Sequence, residues 1–347
     1  MFQQKNTQKR MFVLTAVIVV ILAAVMVFLA LNSTQKSTEH IGYAMGSEIT
    51  VIFYGDDKKD LADEIFDSIA DLDTKLISRK SADSEIHSLN KNGSLELSEE
   101  TLGYIKKALQ ICEESDGALD ITMGSLSSLW DFDSAKNEIP EKNEIAEILS
   151  FSGYDKISLD AYTVTLGKNQ IVDLGALGKG IACDTAKTVL DENNIKSALV
   201  KVGGTVMTYS DTGEKEWNIG IRTPDATDLS AFLKISLKGT NFISTSGNYE
   251  KFFTADEKIY HHILDPETGY PAENNLKSVT VISENGLVSD ALSTACFVLG
   301  IEKSAPLLEK YNSKAIFVDK QNNVYIPDDM ISSCTILNDS YRISEYE

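Results

Sequence analysis

The sequence predicts an α+β fold. Strand-like runs rich in β-branched and aromatic residues occur at 48–54, 162–166, 198–202, 217–222, 232–237, 277–283 and 314–318. Helical periodicity occurs at 57–76, 99–116, 141–150, 179–194, 288–299 and 302–311. The two kinds do not alternate strictly, which argues against a doubly wound parallel sheet. With 347 residues, 43% of them hydrophobic, the chain can build one large domain or two lobes.

The N-terminus differs from the rest. Residues 11–31, MFVLTAVIVVILAAVMVFLAL, form an apolar run interrupted only by Thr15. At 1.5 Å per residue, such a run spans a bilayer core of about 30 Å. Lys5, Lys9 and Arg10 precede it, which favours a cytoplasmic N-terminus. A cleaved signal peptide is the competing reading, but its apolar core is ordinarily shorter, roughly 7–15 residues. The organisation expected is therefore a cytoplasmic segment 1–10, a transmembrane signal anchor 11–32, a polar spacer 33–40 and an extracytoplasmic body 41–340. In the first helix of that body, Leu61, Ile65, Ile69, Leu72 and Leu76 recur every three or four residues as a core-facing stripe.

The net charge of −20 disfavours nucleic acid as a partner. Cys112, Cys183, Cys296 and Cys334 are widely spaced, with no zinc-type pattern. The first three sit among apolar or small residues and read as core fillers.

Several segments carry chemistry. In SDGALDITMGSLSSLW (115–130), Asp120 interrupts a small, apolar run. A buried carboxylate must be paired or hydrogen-bonded, so Asp120 is a site candidate or a loop pin. VDLGALGKGIACD (172–184) places Gly175, Gly178 and Gly180 between a strand-like run and a helix, with Lys179 among them. The helix start would present free N–H groups to a phosphate, or simply close a turn. Gly203 and Gly204 mark a bulge or a close backbone contact. Ser244–Gly247 reads as a hydroxyl-rich turn able to hold phosphate oxygens.

The densest segment is 260–295. His261 and His262 precede LDPETGYP, a turn-forming loop. Asp290 and Thr294 follow at a helix start, four residues apart and so on one face. They suit a hard, Mg²⁺-like cation, or else a helix-terminal carboxylate and a threonine bonded to its own backbone.

Together these segments resemble the ApbE family, the FAD:protein FMN transferases, from about Gly42 to Val318. The resemblance rests on MGS (45–47), SEIHSLN (84–90), DGALDITMGSLSSLW (116–130), VDLGALGKG, VGG, WNIGIRTP (217–224), STSGNYEKFF, HHILDPETGYP and SDALSTA, in that order. It implies a T-fold-like body of two associated α/β lobes with FAD between them. It also implies transfer of the FMN half of FAD to a threonine hydroxyl of a target protein, with release of AMP. Acceptors implied are flavoprotein subunits of Rnf-type or sodium-pumping NADH:quinone reductase complexes, or related FMN-binding domains. Implied roles are Mg²⁺ ligation by Asp290, Thr294 and the Ala176 carbonyl, and FAD contacts from Met45, Ala118, Leu119, Asp120, Asp173, Lys179 and Ile263. His262 corresponds to the base. Two alternatives accompany this reading: an FAD pyrophosphatase giving FMN and AMP, and a non-catalytic flavin-binding surface protein. The chain departs from the family at Ile77-Ser78-Arg79-Lys80, where an aromatic residue usually follows the serine, and at His261, which replaces a small hydroxyl residue.

Overall fold

A nine-stranded sheet organises the chain in this computed structural model, which describes residues 36–134 and 136–344. The expected anchor at 11–32 lies outside the described residues, and among those described no helix is long and apolar enough to cross a membrane. In chain order the elements are β1 (Ser37–Ala44), β2 (Ser47–Tyr54), α1 (Lys59–Asp71), α2 (Glu85–Asn92), β3 (Ser94–Glu96), α3 (Glu99–Glu114), α4 (Gly124–Trp130), α5 (Lys142–Phe151), β4 (Ser158–Asp160) and β5 (Thr163–Thr165). They continue with α6 (Gly178–Glu192), β6 (Ser197–Val202), β7 (Thr205–Ser210), β8 (Glu216–Arg222), β9 (Ala231–Lys238), β10 (Asn241–Gly247), β11 (Phe252–Ala255), β12 (Lys258–His261) and β13 (Leu276–Ser283). Last come α7 (Gly286–Leu299), α8 (Ile301–Lys310), β14 (Lys314–Asp319), β15 (Asn323–Tyr325), β16 (Cys334–Ile336) and β17 (Arg342–Ser344).

The main sheet runs β1-β2-β6-β7-β10-β13-β14-β15-β17 and is antiparallel except for the final β15–β17 pair. Strand alternation sends successive side chains to opposite faces. Phe242, Val279, Val281, Ala315 and Phe317 join the helices in the main core. Ile243, Ile282, Ile316 and Val318 pack on the opposite face against Phe232, Leu233 and Ile235 of the small β16-β9-β8 sheet. A third cluster gathers Leu126 and Trp130 of α4, Ile145 of α5 and Phe253 of β11. There the Trp130 ring stacks on Phe132 and Tyr260, and its indole N–H donates to the Gly269 carbonyl at 2.9 Å. This cluster fixes the β11–β12 hairpin and the loop carrying His262.

Several expected elements are corrected. Strand β1 starts at Ser37, inside the segment read as spacer, and pairs with β2 along its whole length. The first helix ends at Asp71 and continues as a wider helical turn, Leu72–Ile77. The segment 243–247 is a strand rather than a turn; β10 is paired on both edges, with β7 and with β13. Its hydroxyls are tolerated in mid-sheet because Ser289 and Ser293 of α7 match Ser244 and Ser246, and Thr280 of β13 matches Thr245. Gly203 and Gly204 form the two-residue turn between β6 and β7, where Gly203 adopts a φ of 55°. Helix α7 starts at Gly286, so Asp290 stands in its second turn rather than at its opening. Its first free amides are satisfied from outside: Asn285 Oδ1 accepts from Val288, and the Asp184 carboxylate accepts from Gly286 and Leu287, both at 2.8 Å. The four cysteines are free, with Cys112, Cys183 and Cys296 buried as core fillers.

Candidate active site

The site grows from the crossing of α6 and α7. The Gly180 amide, in the first turn of α6, donates to Asp290 Oδ2 at 3.0 Å. Thr205 Oγ1, at the start of β7, donates to Asp290 Oδ1 at 3.3 Å. Asp290 is 4% exposed. Burial raises its pKa, opposed by the charge of Lys179 and these hydrogen bonds. Lys179 is held charged chiefly by Asp290, with Glu250 contributing. Among the described residues its ammonium makes no hydrogen bond or ion pair, so one cation stands at a helix N-terminus with capacity for an anion.

Behind Asp290 lies a double row of hydroxyls. Ser244 meets Thr205 at 3.2 Å and Ser289 at 2.5 Å. Ser246 meets Ser293 at 2.8 Å and Thr294 at 3.3 Å. The β10 residues are two apart and the α7 residues four apart, the spacings that keep each row on one face. Thr294 therefore lies one turn beyond Asp290, on the side facing β10.

Met45 occupies the β1–β2 turn with a φ of 54°, and its Cε packs 3.0 Å from where a Cβ on Gly178 would stand. Asp173 is joined to the 118–122 loop through its amide, which donates to the Ile121 carbonyl at 2.8 Å. Asp120 turns its carboxylate inward onto Thr122 and the Tyr154 amide, so in this arrangement it pins the loop. Ala118 and Leu119 are buried beside it, and burial raises the Asp120 pKa. Ala176 lies in the short loop between Asp173 and Lys179.

His262 is half-buried; burial first, and the nearby Lys179 charge second, lower its pKa to about 4. Its Nδ1 lies 3.3 Å from the Lys251 carbonyl oxygen. Next to it, Ile263 is buried and its carbonyl accepts from Ala272 at 2.9 Å. His261 points the other way, into the core, edge-on against Phe297 at 5.5 Å. Its Nε2 lies 3.3 Å from the Ala272 carbonyl, and its Nδ1 has no partner among the described residues. The two histidines are thus separated by strand alternation into a core residue and a site residue.

These positions match a known family. A family model described as the ApbE family matches residues 45–317. The chain belongs to the ApbE family. The FAD:protein FMN transferase of Klebsiella pneumoniae is 30% identical over 90% of this chain and 98% of that protein. The enzyme of the same name from Treponema pallidum is 35% identical over 62% of this chain and 65% of its own length. The crystal structure of the ApbE protein of Thermotoga maritima is 30% identical, with a TM-score of 0.78 over 86% of this chain and 99% of that one.

Within this ApbE fold, the donor set fits a hard cation. Among the described residues no three His, Cys, Asp or Glu side chains converge as a metal cluster. One carboxylate plus neutral oxygens suits Mg²⁺, which commonly takes one or two carboxylates and completes its shell with water and phosphate. The Asp290 carboxylate accepts from the Gly180 amide, from Thr205 Oγ1 and from the Lys179 amide, and two carboxylate oxygens with about four lone-pair sites keep capacity beyond these.

Residues not anticipated from the motifs complete the frame. Arg79 donates through Nε to Asp173 at 2.7 Å, through one terminal nitrogen to Ser128 at 2.8 Å and through the other to Ser127 at 3.4 Å. Asn90 brackets Val172 with bonds to both its amide and its carbonyl. The only advance signal for Arg79 was its place in the segment that departs from the family.

Proposed function

We propose that this chain is a Mg²⁺-dependent FAD:protein FMN transferase acting on a threonine hydroxyl of a target redox protein. The observation that carries the reading is the buried Asp290 beside Lys179 at the α6 N-terminus, whose ammonium makes no hydrogen bond among the described residues. That pairing supports a cation and a phosphate bound side by side. Asp290, Thr294 and the Ala176 carbonyl would hold Mg²⁺, which as a Lewis acid neutralises charge on the pyrophosphate oxygens. Lys179 and the α6 amides bind phosphate charge; Met45, the Ala118–Leu119–Asp120 loop, Asp173 and Ile263 line the flavin nucleotide's place.

His262 accepts the proton of the threonine hydroxyl. The threonine oxygen bonds to the phosphorus on the FMN side, the bond from that phosphorus to the bridging oxygen breaks, and AMP leaves with that oxygen. A neutral imidazole at pH 7 is required for this role, and the lowered pKa supplies it. The membrane-anchored, extracytoplasmic placement and an acceptor in an Rnf-type or sodium-pumping NADH:quinone reductase complex belong to the same reading; the apolar run at 11–31 supports the first.

The test incubates the full-length chain with FAD, Mg²⁺ and a target domain carrying the acceptor threonine. Covalent fluorescent flavin on the target is the expected result. Free FMN and AMP without labelled protein would replace transfer by hydrolysis. Unchanged FAD would overturn both and leave a flavin-binding protein.

A further inference from the structure

One carbonyl oxygen grips His262 twice. The Lys251 carbonyl accepts from the His262 backbone amide at 3.0 Å and lies 3.3 Å from its ring Nδ1. A carbonyl can only accept, so the ring nitrogen facing it carries the proton and the lone pair resides on Nε2. Lys251 sits in the connection from β10 to β11, directly ahead of Phe252, which pairs with His261 across the hairpin. Besides the hairpin pairing and the aromatic cluster, a charge bridge at the surface ties this connection down, its Lys80, Asp133 and Lys251 side chains 65%, 51% and 55% exposed. Asp133 accepts from Lys251 Nζ at 2.6 Å through one oxygen and from Lys80 Nζ at 3.2 Å through the other. Asp133 itself follows Phe132, whose ring stacks on Trp130 and packs against Phe253.

We propose that Asp133 is a positioning residue for the reaction: by tying Lys80 to Lys251 it holds the Lys251 carbonyl against His262 and keeps the base in its Nδ1–H tautomer with Nε2 free. The inference rests on His262 being the base. Three features make the bridge more than a surface ion pair. It converges on a single carboxylate, whose pKa Lys251 and Lys80 together lower to about 2 despite opposing burial. It joins three chain segments, the turn after α1, the turn after α4 and the β10–β11 connection. And the group it positions is main chain, so its effect falls on ring orientation rather than on global stability. Exposed ion pairs add little to stability, whereas an orienting partner governs which imidazole nitrogen is available.

The experiment labels the four histidines of the full-length chain with ¹⁵N and reads the His262 ring shifts at pH 7, without FAD or metal. The expected result is the Nδ1–H tautomer in the parent. In Asp133→Ala, the ring shifts move towards a tautomer mixture, and kcat falls roughly ten- to hundredfold while KM for FAD stays within about twofold. Asp133→Glu restores both readouts. Lys251→Met, which keeps the carbonyl but cuts the bridge, behaves as Asp133→Ala, so the test survives if either variant misfolds. An Nε2–H tautomer in the parent, or bridge variants with parental tautomer and kcat, overturns the proposal. Full activity in His262→Ala would instead overturn the assignment of the base, with the tautomer measurement unaffected.

Discussion

Gly180 and Gly286 meet backbone to backbone where α6 crosses α7. A Cβ on Gly180 would stand 2.0 Å from the Gly286 oxygen, and one on Gly286 would stand 2.2 Å from the Gly180 oxygen. Neither glycine has a φ in the left-handed region, so the requirement is space alone. Since the Gly180 amide also donates to Asp290, separating the helices displaces the carboxylate. Gly180→Ala and Gly286→Ala are each expected to cost about 1–3 kcal/mol and to weaken Mg²⁺-dependent turnover further than the stability loss alone explains. Urea unfolding and activity measured side by side check this; parental values of both would show that the crossing relaxes freely.

Asp290→Asn is expected to affect both function and stability. The buried carboxylate is costly in the metal-free fold, since burial outweighs the help from Lys179. An isosteric amide removes that cost but leaves the Lys179 ammonium without its principal counter-charge. The expected outcome is at least a hundredfold loss of Mg²⁺-dependent turnover, the scale of losing a group that acts on the transition state, together with a lower metal-free Tm, because Lys179 loses the charge that chiefly holds it. Calorimetry without Mg²⁺ and turnover with it decide the matter. A retained Mg²⁺-dependent rate would remove Asp290 from the site.

The histidines set an acid limb of stability. His261 and His262 are both lowered to about 4, in each case chiefly by burial. Between about pH 6.5 and 4 the unfolded chain binds protons that the folded chain does not. Their contribution is therefore intact above 6.5 and is lost as pH falls through that window. His261→Leu should reduce the stability difference between pH 7 and pH 5 by about 2 kcal/mol, as read from urea midpoints. An unchanged difference would place the His261 pKa near its ordinary value.

Arg79 is expected to act through its fork geometry. It spans Asp173, Ser127 and Ser128 at once, with side chains of Arg79 and Asp173 only 19% and 23% exposed. Lysine offers a single point charge and cannot reproduce this set. Arg79→Lys and Arg79→Ala should both weaken FAD binding, by about tenfold for a loss of roughly 1.4 kcal/mol. Calorimetric titration with FAD tests it; a parental Kd in Arg79→Lys would reduce the side chain to its charge.

Much of this protein could be read from residue order. The periodicity of Leu61, Ile65 and Ile69 placed α1, and the strands at 48–54 and 277–283 follow from β-branched runs, because local propensity and burial agree there. The motif order around Asp173, Lys179, His262 and Asp290 identified the family for the same reason: each short segment carries its own turn chemistry. The tertiary structure decided what depends on neighbours distant in sequence. Ser244 and Ser246 form a strand, not a turn, because α7 supplies the hydroxyls that satisfy them. His261 and His262 are one residue apart, yet pairing of β11 with β12 sends the first into the core and leaves the second at the site. Arg79 and Asp173, 94 residues apart, become partners only when the turn after α1 is laid against the loop before α6. Such partners share no local pattern, since the free energy that selects them comes from packing across the fold.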